Sequence, residues 1–221
     1  FFFKYNLGMD NISHHYQKLL NLKHIGNNST ILDIGANVGD VTDVLIKTYN
    51  PKIYCYEPNI GCYKHMVSRF KNNPKIKIFN FAVSNFTGKT FLYFHKKAKN
   101  ISEFNQRSSL KKEKDGLDIN KKIEVNCINI KEILENHNQI DLIKIDIEGS
   151  EYEVMPEIIK NKDKIKMVLC ETHGNPNGKK IPNADGSKLV VKNKIWINDY
   201  KKLISELKEM NLYGNWFYEW Y

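Results

Sequence analysis

No apolar run in the sequence approaches the roughly 20 residues that a membrane-spanning helix requires, so a soluble chain is expected. No signal peptide is expected from the stretch Phe1-Phe2-Phe3, which is too short for an apolar core, is followed by Lys4, and has no small-residue cleavage site after it. The four cysteines (Cys55, Cys62, Cys127, Cys170) include no C-x-x-C pair. Cys55 and Cys170 fall inside apolar segments, so free buried thiols in a reducing, cytoplasmic compartment are expected. Internal repeats and low-complexity stretches are also missing. The first residue is Phe rather than Met, which suggests a domain cut from a longer polypeptide.

What is present is enough for one sizeable core: 221 residues, 41% hydrophobic and 12% aromatic. A single domain spanning 1–221 is the expectation. The formal net charge of +9 comes mostly from lysine. Nucleic acid would be one anionic partner for such a chain. The lysines are scattered, however, apart from Lys111-Lys112-Glu113-Lys114 and Lys179-Lys180, and Asn and Ile are abundant too. A general compositional bias explains this better than a nucleic-acid surface.

The most informative stretch is Thr30-Ile31-Leu32-Asp33-Ile34-Gly35-Ala36-Asn37-Val38-Gly39. An apolar run ends in an acid, two glycines sit four apart, and Val41-Thr42-Asp43-Val44-Leu45-Ile46 resumes with helical spacing. This reads as buried strand, tight turn and helix. Gly35 and Gly39 permit a sharp turn and the close approach of a ligand. The spacing G-x-x-x-G is not the dinucleotide G-x-G-x-x-G, and no Gly-Lys-Ser/Thr follows, which excludes a P-loop.

A second strand over 52–56 ends in Glu57-Pro58-Asn59, where doubly wound folds hold a ribose diol. A carboxylate there can accept from two hydroxyls at once. A helix over 63–71 and a third strand over 76–84 follow, with Ala82 and Val83 leaving a flat slot for an adenine ring. Three such units in series indicate an open, largely parallel sheet that binds an adenosine-containing cofactor.

The flanking segments are less regular. Residues 10–24 carry apolar positions at near-helical spacing, giving an N-terminal helical extension over 1–27. Residues 90–95 read as an added strand, and 96–121 as a polar, lysine-rich, lid-like insertion. A strand over 123–128 and a short helix over 130–137 come next. Leu142-Ile143-Lys144-Ile145-Asp146-Ile147 is a buried strand with Lys144 and Asp146 on one face, followed by Glu148-Gly149-Ser150-Glu151 and a helix to 160. Helix capping alone accounts for Ser150 or Glu151. It does not account for an acid and a lysine alternating in an apolar strand. A fifth strand over 165–170 ends in Glu171-Thr172-His173, then 174–188 is loop, 198–210 helix, and the aromatic tail 216–221 supplies the last strands.

Taken together, Asp33-Ile34-Gly35-Ala36-Asn37-Val38-Gly39, Glu57-Pro58-Asn59, Ala82-Val83-Ser84, Lys144-Ile145-Asp146-Ile147-Glu148-Gly149-Ser150-Glu151 and Glu171-Thr172-His173 resemble the FkbM family of S-adenosylmethionine-dependent O-methyltransferases. The resemblance covers roughly 28 to 175. It implies the class I methyltransferase fold: an α/β, Rossmann-like, seven-stranded, mostly parallel sheet with helices on both faces and an antiparallel last strand. It also implies that Asp33, Gly35, Ala36, Asn37 and Gly39 line the methionine part of the cofactor. Glu57 would hold the ribose hydroxyls with Pro58 and Asn59 beside it, and Ala82 and Val83 would flank the adenine. Asp146 would face the methionine amino group and the acceptor. The implied acceptor is a hydroxyl of a sugar or glycan.

Methyl transfer to such a hydroxyl needs positioning and removal of a proton. Asp146 or His173 is the expected base, with Lys144 and Glu171 orienting whichever acts. Alternatively, Asp146, Glu171 and His173 would hold a divalent cation that lowers the hydroxyl pKa. Two other classes stay open: an RNA-directed methyltransferase, and a non-catalytic interaction module on the same fold. Intact Gly35, Gly39, Glu57 and Asp146 argue against the module. A nicotinamide oxidoreductase fits the glycine spacing least.

Overall fold

The computed structural model describes Leu19 and residues 22–98, 107–173 and 194–219. The elements in chain order are β1 (Thr30–Ile34), α1 (Asp40–Tyr49), β2 (Lys52–Tyr56), α2 (Ile60–Phe70), β3 (Ile76–Phe79), β4 (Ala82–Ser84), β5 (Gly88–His95), β6 (Leu117–Asn129), α3 (Ile130–Glu135), β7 (Leu142–Ile145), α4 (Glu151–Lys160), β8 (Val168–Cys170), α5 (Lys194–Glu209) and β9 (Phe217–Glu219).

Six of these strands form one sheet in the order β3-β2-β1-β7-β8-β9, with every described pairing parallel. Strands buried on both faces explain the continuous apolar runs. Successive residues point alternately to opposite faces. Leu32, Ile34, Ile143, Ile145, Val168 and Cys170 pack with side chains of α3, α4 and α5, including Ile133, Val154 and Leu207. Ile31, Ile53, Cys55, Leu142 and Leu169 pack on the other face with Leu45 of α1 and with Met66 and Phe70 of α2. The fold class is therefore α/β with helices on both faces. The strand order reverses at β1, so β1 and β7 flank the crevice in which open sheets hold ligands.

Five expectations change in detail. The main sheet has six strands rather than seven among the described residues, and β9 runs parallel to β8, not antiparallel. The third strand over 76–84 is two strands: β3 pairs with β2, whereas β4 pairs with β6 in a separate sheet of order β4-β6-β5. Residues 117–121, assigned to the insertion, are the start of the 13-residue β6, which pairs antiparallel with β5. Helix α2 starts at Ile60, because the Asn59 side chain accepts from the Gly61 and Cys62 amides and so caps it there. The loop at 174–188 and most of the helix at 10–24 lie outside the described residues, although Leu19, Leu22 and Ile25 are buried against the α1 and α2 face. Among the described residues no helix is long and apolar enough to cross a membrane.

Leu45 is fully buried between α1 and the sheet. Leu45→Ala should lower unfolding stability by about 2–5 kcal/mol. Urea denaturation is the check, and a loss of under about 1 kcal/mol would contradict this packing.

Candidate active site

The site is built outward from the tip of β1. Asp33 faces Lys144 of β7 in register. The Lys144 side chain is only 4% exposed; its Nζ donates to the Gly35 carbonyl at 2.8 Å and lies 3.4 Å from Asp33 Oδ1 and 3.9 Å from Asp146 Oδ2. Burial works against the ammonium charge, but Asp33, Asp146 and Glu171 more than offset it and hold Lys144 above its ordinary range. Thr42 of α1 donates from Oγ1 to Asp33 Oδ2 at 2.7 Å, completing the buried cluster. Lys144 therefore acts from below the cleft, by fixing two carboxylates and a carbonyl.

The chain then turns at Gly35 (φ 77°) and Gly39 (φ 84°), both left-handed. A Cβ on Gly35 would lie 1.8 Å from the Asp146 carbonyl oxygen, so glycine is required for β1 and β7 to approach this closely. Asn37, also left-handed at φ 51°, sends its amide to Glu57 Oε2 at 2.8 Å. The Asn59 amide donates to Glu57 Oε1 at 2.7 Å. Each Glu57 oxygen thus keeps one lone pair. Burial pushes its carboxyl up to about 7, against the pull of those two amides and of Lys144. Asn80 Nδ2 donates to the carbonyls of Glu57 and Pro58, tying the β2 tip to the β3 tip.

Asp146 lies just past β7, its amide held by the Ile34 carbonyl at 3.0 Å. Its Oδ1 is buried and has no hydrogen-bond partner. Glu57 and Asp146 therefore stand at the tips of the two strands that flank β1, at one end of the sheet. Ala36 is packed into the α1 and α2 core. Ala82 packs in the small-sheet cluster and Val83 in the main core.

A second half of the site surrounds His173. Its Nδ1 is 2.9 Å from Glu151 Oε1 and its Nε2 is 2.8 Å from Glu148 Oε2. Glu171 Oε1 is farther, at 3.8 Å from Nε2. Burial and Asp146 raise the Glu171 carboxyl to about 7. Glu151, treated in the sequence as a cap, is fully buried, and it accepts from the Ile147 and Gly149 amides as well as facing His173. Burial opposes its charge, but His173 and these amides hold its carboxyl below the usual range. Lys114, from the 96–121 segment, pairs with Glu148, and Lys111 pairs with Glu153. The Ser109 hydroxyl donates to the Glu148 carbonyl at 2.7 Å. Glu148, Glu151 and Lys114 were not placed in the site from the sequence. The Glu-Gly-Ser-Glu spacing after β7 was the available signal for the two acids.

Asp146, Glu151 and His173 each offer an atom within 4.8 Å of the others. The metal set expected from the sequence had Glu171 in the place of Glu151. This donor set suits a divalent cation poorly, since Glu151 Oε1 and Oε2 accept from protein donors and each His173 nitrogen already faces a carboxylate.

An α/β domain with a strand-tip cleft of buried carboxylates around a glycine turn is the class that fold and site define. The Methyltransferase FkbM domain matches residues 33–211, and the chain belongs to that family. No curated protein matches it in sequence. Among solved structures, a putative caffeoyl-CoA O-methyltransferase from Staphylococcus aureus is similar at 12% identity and TM-score 0.45, covering 90% of this chain and 73% of that one. The precorrin-6y C5,15-methyltransferase from Geobacter metallireducens GS-15 is similar at 10% identity and TM-score 0.42, covering 88% and 69%. The cyclopropane synthase MmaA2 from Mycobacterium tuberculosis is similar at 12% identity and TM-score 0.30; the match covers 58% of this chain but spans only 29% of that one. At these scores the likenesses carry nothing about activity.

Lys144→Met should remove about 3–5 kcal/mol of stability, because it leaves Asp33 charged and buried. The double variant Asp33→Asn/Lys144→Met should lose less than Lys144→Met alone. A loss in the double equal to the sum of the Asp33→Asn and Lys144→Met losses, by urea titration, would show that the pair is not coupled.

Proposed function

We propose that this domain is an S-adenosylmethionine-dependent O-methyltransferase acting on a hydroxyl of a sugar or glycan. The observation that carries the reading is the buried, unpartnered Oδ1 of Asp146, beside a glycine turn that no Cβ could enter. A cationic amino group is the natural partner for that oxygen. Glu57, with one lone pair left on each oxygen, suits a ribose diol on the neighbouring tip. Bound S-adenosylmethionine would supply an electrophilic methyl group on a good leaving group. The chain's own residues then have two tasks: to hold the acceptor in line, and to take its hydroxyl proton at His173. With Ala82 and Val83 turned into apolar clusters, their contribution to an adenine slot is steric, through the floor they pack.

The RNA-directed alternative loses its main support, because Lys111 and Lys114 are engaged by Glu153 and Glu148 and present no open basic stripe. The non-catalytic alternative gives no account of a half-buried His173 set on the fully buried Glu151 carboxylate.

Calorimetry with S-adenosylhomocysteine, followed by transfer of labelled methyl to a panel of sugars, tests the reading. Binding is expected to strengthen as pH rises through about 7, because Glu57 accepts from both ribose hydroxyls only once ionised. In Glu57→Gln this dependence should vanish and affinity should fall about 10- to 100-fold. No binding to the unaltered chain would overturn cofactor use, and binding without transfer to any sugar would overturn the acceptor class.

A further inference from the structure

We propose that Glu151 is the positioning residue of a carboxylate–imidazole dyad: it grips His173 at Nδ1 and leaves Nε2 as the atom that takes the acceptor's proton. The inference rests on the methyl-transfer reading above and names the pair of residues that would serve it.

The geometry distinguishes the carboxylates around the ring. Glu151 is fully buried on the first turn of α4 and is held there by the Ile147 and Gly149 amides. It cannot move without breaking those bonds, so it is a fixed point for Nδ1. Glu148, at Nε2, is different: its side chain is 20% exposed and lies in a left-handed turn at φ 57°. Its other partner is Lys114, which reaches over from the segment before β6. Glu171 stands off at 3.8 Å from Nε2, and Asp146 faces the ring from the β7 tip. The backbone that carries the ring is held as well, since the His173 main-chain carbonyl accepts from the Tyr152 hydroxyl.

With carboxylates at both nitrogens, the arrangement is that of an imidazolium donating to Glu151 and Glu148. Burial opposes this charge, but Glu151 more than offsets it, and His173 is held above its ordinary range even with Lys114 nearby. Loss of the Nε2 proton removes the donor that Glu148 accepts from. Glu148 is then free to leave with Lys114, and an acceptor hydroxyl can take its place. Bound S-adenosylmethionine would supply the methyl, its carbon–sulfur bond breaking with the electron pair left on sulfur; as an electron pair of the acceptor oxygen forms the new bond to carbon, the O–H bond breaks and its proton passes to Nε2. Glu151 balances the positive charge left on the ring. The carboxylate two residues before the histidine is thus not its orienting partner; the one 22 residues earlier is.

The test compares the unaltered chain with Glu151→Gln. The imidazole titration of His173 is followed by NMR, its signal identified as the one missing from His173→Gln. Removing the carboxylate should lower the imidazole pKa by about one unit or more. The acid limb of kcat should move to lower pH by the same amount, while kcat at its plateau falls about 100-fold and KM for S-adenosylmethionine stays within about twofold. If Glu151→Gln does not fold, Glu151→Asp keeps the charge but withdraws it from Nδ1, and the same readouts should move in the same direction by less. An unmoved titration in a folded variant overturns the dyad. That measurement needs neither cofactor nor acceptor, so it judges the dyad even if cofactor binding, and with it the methyl-transfer reading, fails.

Discussion

The buried ammonium of Lys144 organises this molecule. Lys144 lies in a strand that is apolar on either side of it, and an ammonium in such a place costs several kcal/mol unless it is fully paired. The pairing comes from three places at once: the Gly35 carbonyl, the Asp33 carboxylate and, at longer range, Asp146. Because β1 and β7 are in register at Asp33 and Lys144, the cation sits where the strand order reverses. The glycine turn, the Asp146 tip and, through Thr42, the start of α1 are therefore fixed by one electrostatic knot. Packing of the two helical layers closes the sheet, but this knot decides where its carboxylates point.

Much of this was legible in the sequence because the information was local. The turn from β1 into α1 is written in Gly35 and Gly39, and Glu57 stands where β2 stops. The alternation of Lys144 and Asp146 gave away a polar face in a buried strand. Other features were not local. Residues 76–84 read as one strand because Phe81 continues the apolar pattern across the point where the chain leaves β2 for β6. The first residues of β6 were grouped with the lysine-rich insertion although Leu117 and Ile119 alternate with Asp118 and Asn120, a run too short to mark a strand by itself; what makes them strand is the partner β5.

The order of the carboxylates around His173 has the same cause. Spacing along one strand suggested Glu171, two residues away, as its partner. Burial then decides the matter, and burial is a property of the assembled fold. Glu151 is enclosed by α4, the turn after β7 and the ring itself, so its charge is sustained only by those neighbours. In the sequence the same residue is indistinguishable from a helix cap. The lysine run at 111–114 shows the converse. As a string it suggested an anionic partner, yet two of its cations are matched by acids of the chain itself.

The two halves of the cleft differ in how they handle negative charge, and that difference bears on what each can hold. Around Glu57 the donors are backbone amides, which cannot leave; the carboxyl is rigid, dry and raised to about 7. Such a group can recognise a fixed pair of hydroxyls without rearranging. Around His173 the partners are side chains, and two of them, Glu148 and Lys114, come from a turn and from the segment before β6. Ion pairs between side chains can exchange partners when a proton moves, because each group stays solvable by another nearby charge. A site that must bind one ligand tightly and pass a proton with another needs both kinds of environment. The β1–β7 knot keeps them side by side without letting them merge.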